Sequence, residues 1–165
     1  MSTHLSKIDR YPASPDKLIA MMRSREFFEA KYAHLEDIKF EVTKFEPSGD
    51  GVVVEVDREV AADMPDFAKK ILGETNHLVQ HETWSKDGAG YSCELIIDSP
   101  GKPITMKGSM SIVAAGEGES DWALDLDIHS SLPLVGRKIE KIAHDQTRSA
   151  SDKEMEFNLG WLASL

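Results

Sequence analysis

The chain has 165 residues, a mass of 18.3 kDa and a formal net charge of −10. This length suffices for one domain with its own apolar core, and a composition that is 41% hydrophobic and 29% charged excludes a disordered chain. The acidic balance predicts no nucleic-acid partner. No apolar run is long enough for membrane insertion, and the single cysteine, Cys93, excludes an internal disulfide. We therefore expect a soluble, cytoplasmic protein.

The first part of the chain predicts a strand followed by two short helices. Residues 4–11 form the predicted strand. Ser14 and Pro15 are typical of a helix start, with serine as the N-cap and proline in the first turn. This helix continues to Met22, and a second helix runs from about residue 25 to residue 35.

After the second helix the hydrophobic period changes to two, which predicts six strands joined mostly by tight turns. The predicted strands are residues 38–43, 52–60, 78–84, 91–97, 104–114 and 122–128, with a helical piece over 64–72. Two-residue turns at 87–88 and 100–101, and a three-residue turn around Gly118, place Trp84 opposite Tyr91, Cys93 opposite Gly108 and Ile112 opposite Leu124. All three turns put the apolar residues on one face.

The C-terminal segment from about Leu134 to Leu162 predicts one long amphipathic helix. Its apolar residues, such as Ile139, Ile142 and Phe157, follow helical spacing. At ~1.5 Å per residue, such a helix of roughly 40 Å crosses the whole sheet. The predicted fold class is α+β: a seven-stranded antiparallel sheet covered by this helix, in one domain over residues 1–165.

The element order and two segments resemble a known superfamily. The segments KIDRYPASPDKLIAMM (residues 7–22) and LPLVGRKIEKIA (residues 132–143) resemble START-like proteins, also called SRPBCC or birch-pollen-allergen-like proteins. The resemblance covers essentially the whole chain and is nearest to a bacterial branch without assigned function. It implies the helix-grip fold, a curved sheet wrapped around the last helix, and an internal cavity for a ligand such as a lipid.

Small residues indicate where that cavity would be widest. The middle of the long helix carries Gln146, Ser149 and Ala150, and Cys93 and Gly108 are predicted to face each other across two strands. The alternative is that nearby aromatic side chains fill this space. The predicted ligand-cavity residues are Arg58, Gln80, Glu82, Trp84, Tyr91, Cys93, Met106, Gly108, Met110, Leu126, Gln146, Ser149 and Ala150.

Three polar residues are predicted to face inward, because they alternate in step with the apolar residues of their strands: Arg58, Gln80 and Glu82. A buried charge needs a partner or water. We therefore expect Arg58 and Glu82 to form a pair inside the cavity that orients a polar group of the ligand. The alternative is that both lie at the cavity mouth and are solvated.

The sequence predicts no metal, cofactor or catalytic residue. His77 and His81 lie four residues apart on a predicted strand, hence ~13 Å apart, too far to share one zinc ion. The glycine-rich segments lack the spacing of phosphate-binding loops and are typical of hairpin turns. Cys93 has apolar neighbours and is interpreted as a small core residue rather than a nucleophile.

The favoured function is binding or carriage of a small hydrophobic or amphipathic molecule between the sheet and the last helix. The alternative is an enzyme of the polyketide cyclase/aromatase type, in which Arg58, Glu82 and Tyr91 orient a substrate and transfer protons. A third hypothesis, a protein-interaction module, predicts a filled core and an exposed apolar patch. The sequence does not indicate the identity of the ligand, whether a reaction is catalysed, or the oligomeric state.

Overall fold

A computed structural model describes residues 2–35 and 37–165. The elements are β1 (Thr3–Tyr11), α1 (Pro15–Met22), α2 (Arg25–His34), β2 (Lys39–Ser48), β3 (Gly51–Ala61), α3 (Asp66–Leu72), β4 (Thr75–Asp87), β5 (Gly90–Asp98), β6 (Ile104–Ala114), β7 (Ser120–Ser130) and α4 (Gly136–Ser164). The predicted order of elements is confirmed. The Ser14 hydroxyl accepts a hydrogen bond from the Lys17 N–H, as expected of the N-cap of α1. No helix in the described ranges is long and apolar enough to cross a membrane.

The seven strands form one antiparallel sheet in the order β1-β7-β6-β5-β4-β3-β2. β1 and β2 are therefore the two edges, and α1 and α2 carry the chain from one edge to the other. The sheet curves around α4, which makes the fold a helix-grip fold of the α+β class and confirms the predicted class. The concave face holds the core, because inward and outward residues alternate along each antiparallel strand.

The predicted pairing of the three hairpins was wrong by two residues in every case. Trp84 pairs with Cys93, Leu95 with Gly108, and Ile112 with Trp122. The loop between β5 and β6 covers residues 99–103 rather than two residues, because Pro103 has no N–H to donate to the ladder. A shift of two residues keeps every side chain on its predicted face, so the apolar face was nevertheless correct.

The fully buried side chains of α4 lie near its two ends. Near its start, Ile139 is fully buried, and Glu140 accepts hydrogen bonds from the Ser130 N–H (2.9 Å) and the Thr3 hydroxyl (2.7 Å). Near its end, Asn158 and Leu162 are buried. Between Glu140 and Asn158 no described residue of the helix is fully buried. The middle of α4 meets the core only through partly buried side chains, among them Ile142 and Met155.

Glu140→Ala is expected to lower the free energy of unfolding by about 1.5–3 kcal/mol, because the buried Ser130 N–H loses a charged acceptor. Burial would raise the pKa of Glu140, but the hydrogen bonds from Ser130 and Thr3 outweigh it and lower the pKa overall. The stability difference between the wild type and Glu140→Ala is therefore largest above pH 4.5, the usual pKa of a glutamate side chain. It becomes smaller as the pH falls through the lowered pKa of Glu140.

Urea unfolding at neutral pH and at successively lower pH measures this difference. Glu156→Ala, at an exposed position of the same helix, is the control and should change stability by less than about 0.5 kcal/mol. Equal effects of the two substitutions, or an effect of Glu140→Ala that does not shrink in acid, would contradict the assigned role of Glu140.

Candidate functional site

A cavity of about 620 Å³ lies between the concave face of the sheet and the middle of α4. Its volume is within the range of about 300–1,000 Å³ that is usual for small-molecule pockets. The lining includes exposed residues such as Asp63, Asp145 and Lys153. The Gln146 amide of α4 donates a hydrogen bond to the Asp63 carbonyl oxygen (2.7 Å). The cavity occupies the stretch over which no described residue of α4 is fully buried.

Nine of the thirteen predicted ligand-cavity residues line this space. They are Arg58, Gln80, Glu82, Met106, Met110, Leu126, Gln146, Ser149 and Ala150. The three small or polar residues of α4 thus lie over the cavity, while bulkier residues such as Ile139 and Leu162 pack at the helix ends.

The other four residues, Trp84, Tyr91, Cys93 and Gly108, lie outside the lining. The predicted contact of Cys93 with Gly108 is wrong, since Cys93 pairs with Met110 and Gly108 with Leu126 and Leu95. Trp84 and Cys93 are buried in the core, at the end of the sheet that α1 covers through β5 and β6. Burial raises the pKa of the Cys93 thiol, which is therefore protonated at neutral pH.

Tyr91 and Gly108 have roles that their sequence positions do not reveal. The Tyr91 hydroxyl donates to the Asp16 carboxylate of α1 (2.7 Å), away from the cavity. A Cβ at Gly108 would overlap the carbonyl oxygen of Asp125, so the glycine permits the close approach of β6 and β7. Sequence parity places a residue on a face, but it does not say how far along the strand the cavity extends.

Arg58 and Glu82 are joined through Gln80 and do not pair directly, so the predicted ion pair is wrong. The Arg58 guanidinium donates to both oxygens of Asp37 (2.8 and 3.0 Å) and to the Gln80 carbonyl (3.3 Å). Gln80 in turn donates to Glu82 (2.8 Å), which also accepts from the Trp84 indole (2.9 Å). The inward residues of β3 and β4 therefore form a continuous chain of hydrogen bonds.

A second ion pair lies beside this chain, since its buried member, Lys31, and Arg58 both lie over the Tyr32 ring; the sequence analysis missed it. Lys31 of α2 contacts the Glu154 carboxylate of α4 (3.1 Å) and lies over the rings of Phe27, Phe28 and Tyr32. Burial lowers the pKa of Lys31, but Glu154, Tyr32 and Glu82 together outweigh this effect and raise the pKa, so the ammonium is protonated. Helical spacing already placed Lys31 on the apolar face of α2, and that signal could have identified it.

Lys7 of β1 is a further buried cation, and its place in the alternating pattern of the strand could have identified it. It alternates with the buried residues Leu5 and Tyr11 on the inward face. Its ammonium lies 2.9 Å from the Asp9 carboxylate and 2.7 Å from the Asp152 carboxylate. Both of these buried lysines therefore have carboxylate partners, as buried charges require.

The cavity has two chemically different sides. The polar wall consists of Lys31, Asp37, Arg58, Gln80, Glu82, Glu154 and Asn158. The apolar wall, mostly from β5 to β7 and the middle of α4, consists of Leu95, Ile97, Ile104, Met106, Met110, Trp122, Leu124, Leu126, Ile142, Ala143 and Met155. Such a division suits a molecule with an apolar body and one polar group. In the described ranges, no cluster of three or more His, Cys, Asp or Glu side chains is arranged for a metal ion.

Comparisons with known proteins agree with this fold. A family model described as "Protein of unknown function (DUF2505)" matches residues 8–162. No curated protein matches the chain. Three solved structures illustrate the similarity, and at these identities they indicate the fold alone.

The Zhui aromatase/cyclase from Streptomyces sp. R1128 has 12% identity and a TM-score of 0.69, covering 99% of this chain and 94% of its own. The protein TTHA0849 from Thermus thermophilus has 13% identity and a TM-score of 0.67, covering 98% of each chain. A START superfamily protein from Mycobacterium smegmatis has 16% identity and a TM-score of 0.62, covering 96% of this chain and 98% of its own.

Proposed function

We propose that this chain, which belongs to the DUF2505 family of proteins of unknown function and has the helix-grip fold of START-like proteins, binds a small amphipathic molecule in the central cavity. The observation that carries the proposal is that no described residue of α4 between Glu140 and Asn158 is fully buried, directly over a cavity of about 620 Å³. Because the middle of the helix is only partly buried, apolar side chains of the sheet face the cavity, and an apolar ligand would add contacts to them.

The division of the cavity supports an amphipathic rather than a purely apolar ligand. The apolar wall would bury the body of the ligand, and the polar wall would orient its head group. We propose the whole chain, residues 1–165, as one binding domain that works in the cytoplasm, where the protonated Cys93 thiol would stay reduced.

Binding is favoured over the cyclase/aromatase alternative by the position of Tyr91. That alternative needs Arg58, Glu82 and Tyr91 within reach of one substrate. The Tyr91 hydroxyl contacts Asp16 outside the cavity lining instead. A protein-interaction module would need a filled core, which an empty volume of this size does not favour.

Ala150→Trp is expected to block ligand binding, because the indole would extend from the middle of α4 into the cavity. The probe is N-phenyl-1-naphthylamine, a neutral aromatic dye whose fluorescence rises in apolar surroundings. We expect the dye to become more fluorescent when it binds to the wild type. Ala150→Trp should weaken dye binding at least about tenfold, which corresponds to a loss of ~1.4 kcal/mol of binding free energy.

Arg148→Trp is the matched control, because it adds the same ring at an exposed position of α4 outside the cavity lining. It should bind the dye like the wild type, and thermal unfolding should show that both variants are folded. Equal dye binding by folded Ala150→Trp and by the wild type would refute the central cavity as the binding site. Native mass spectrometry after mild purification would test for a co-purifying molecule.

A further inference from the structure

Each cation of the polar wall already has its own carboxylate. Arg58 is paired with Asp37, and Lys31 is paired with Glu154. Glu82 is a third acidic residue of the same wall, and it is only 3% exposed. Its hydrogen-bond donors are the neutral amide of Gln80 and the neutral indole of Trp84. In the part of the chain that the structure describes, the polar wall thus combines two cations with three acidic groups.

The same wall contains a buried acceptor without a donor among the described residues. Asn158 is 4% exposed, and its Nδ2 donates to the Tyr11 hydroxyl (3.2 Å), whereas its Oδ1 has no hydrogen-bond partner. Asn158 lies one helical turn after Glu154 on α4, so the two side chains are neighbours. The buried Tyr32 hydroxyl, beneath Arg58 and beside Lys31, also has no partner. Buried polar atoms without partners are uncommon in folded proteins.

Glu82 has unused acceptor capacity as well. A carboxylate offers about four lone-pair directions, and Glu82 uses one oxygen for Gln80 and the other for Trp84. A ligand ammonium would bring several N–H donors, one positive charge and no acceptor. A ligand carboxylate at this position would place another negative charge beside Glu82, where Arg58 and Lys31 already have carboxylate partners, and would lose its hydration. The other lysines of the lining, Lys102 and Lys153, are exposed.

We infer that the natural ligand is an amphipathic amine, with an apolar body against the apolar wall and a protonated amino group at Glu82 and Asn158. The inference rests on the proposed function, because it concerns the head group of a ligand in the same cavity. Charge-assisted hydrogen bonds from the amino group would satisfy the free acceptors and offset the excess acidic group.

The test is competition of three matched decyl compounds, below their micelle concentrations, against N-phenyl-1-naphthylamine at neutral pH. Decylamine, decanol and decanoate have the same chain and differ in the charge of the head group. Decylamine should displace the dye at concentrations about tenfold lower than decanol, and decanoate should be the weakest competitor.

Glu82→Gln should reduce the preference for decylamine over decanol from about tenfold to less than about threefold. Binding of decanol also reports that the variant is folded. Asn158→Leu is a second variant that deletes the free acceptor and should reduce the same preference. Glu94→Gln, at an exposed acidic position on the outer face, should leave it unchanged and so exclude general attraction of amines to an acidic protein.

The outcomes separate the two proposals. Equal displacement by the three compounds, a preference for decanoate, or an unchanged amine preference in folded Glu82→Gln would overturn the amine assignment while leaving the binding function intact. If the wild type binds neither the dye nor any decyl compound, the binding function itself fails, and the amine assignment fails with it.

Discussion

Arg58→Met is expected to lower the free energy of unfolding by about 3–5 kcal/mol, because it leaves the carboxylate of Asp37 buried without its partner. The Asp37 side chain is only 1% exposed, and Arg58 donates to both of its oxygens. The substitution also removes the donor that orients Gln80 toward Glu82. Urea unfolding monitored by tryptophan fluorescence measures the loss.

The double variant Arg58→Met/Asp37→Leu should recover much of this stability, because a buried ion pair can be replaced by apolar side chains at little cost. Arg10→Met is the control: Arg10 forms a short ion pair with Asp121 (2.6 Å), but both side chains are exposed. It should cost no more than about 1 kcal/mol. A cost for Arg58→Met as small as that of Arg10→Met would contradict the importance of the buried pair.

Phe27→Ala is expected to lower the free energy of unfolding by about 3–5 kcal/mol, because it opens a cavity in the aromatic cluster that holds the end of α4. Phe27 is fully buried, and its ring contacts Phe157 (5.7 Å between ring centroids) and Trp161 (5.8 Å). Since no described residue in the middle of α4 is fully buried, this cluster bears much of the packing of the helix against α2.

Phe67→Ala is the control, because it makes the same change at a phenylalanine of α3 that is 38% exposed. It should lower the free energy of unfolding by about 1 kcal/mol or less. Hydrogen exchange should also show that Phe27→Ala exposes amides in the C-terminal half of α4 more than those near Glu140. Similar losses for the two variants, or uniform exchange along α4, would contradict the role of this aromatic cluster in holding the end of α4.

The element order and the buried face of each strand could be predicted from the sequence, because both depend on local periodicity. Alternation of two along β4 to β7 and helical spacing along α4 are visible without any long-range contact. The hairpin pairings were wrong by two residues because they depend on the length and the exact position of each loop. The turn signals at Asp87, Pro100 and Gly118 show that a loop exists without showing at which residue it begins or how many residues it contains.

The candidate site could be predicted only in part, for a related reason. The small residues of α4 and the inward polar residues of β3 and β4 were identified from their spacing, and they line the cavity. Lys31 and Glu154 were missed because their pairing joins elements far apart in the chain. Trp84 and Tyr91 were assigned to the lining because their faces were known, whereas the coverage of that end of the sheet by α1 was not.

The order of elements, the apolar concave face and the small residues in the middle of α4 could all be read from the sequence, since each follows from side-chain period and size. The pairing of charges, in contrast, depends on the three-dimensional fold. Arg58 binds Asp37 rather than Glu82, and Glu82 lacks a cation of its own among the described residues. The physical reason is that an ion pair depends on distances of a few ångströms between distant segments, and these distances are set only when the sheet closes around α4.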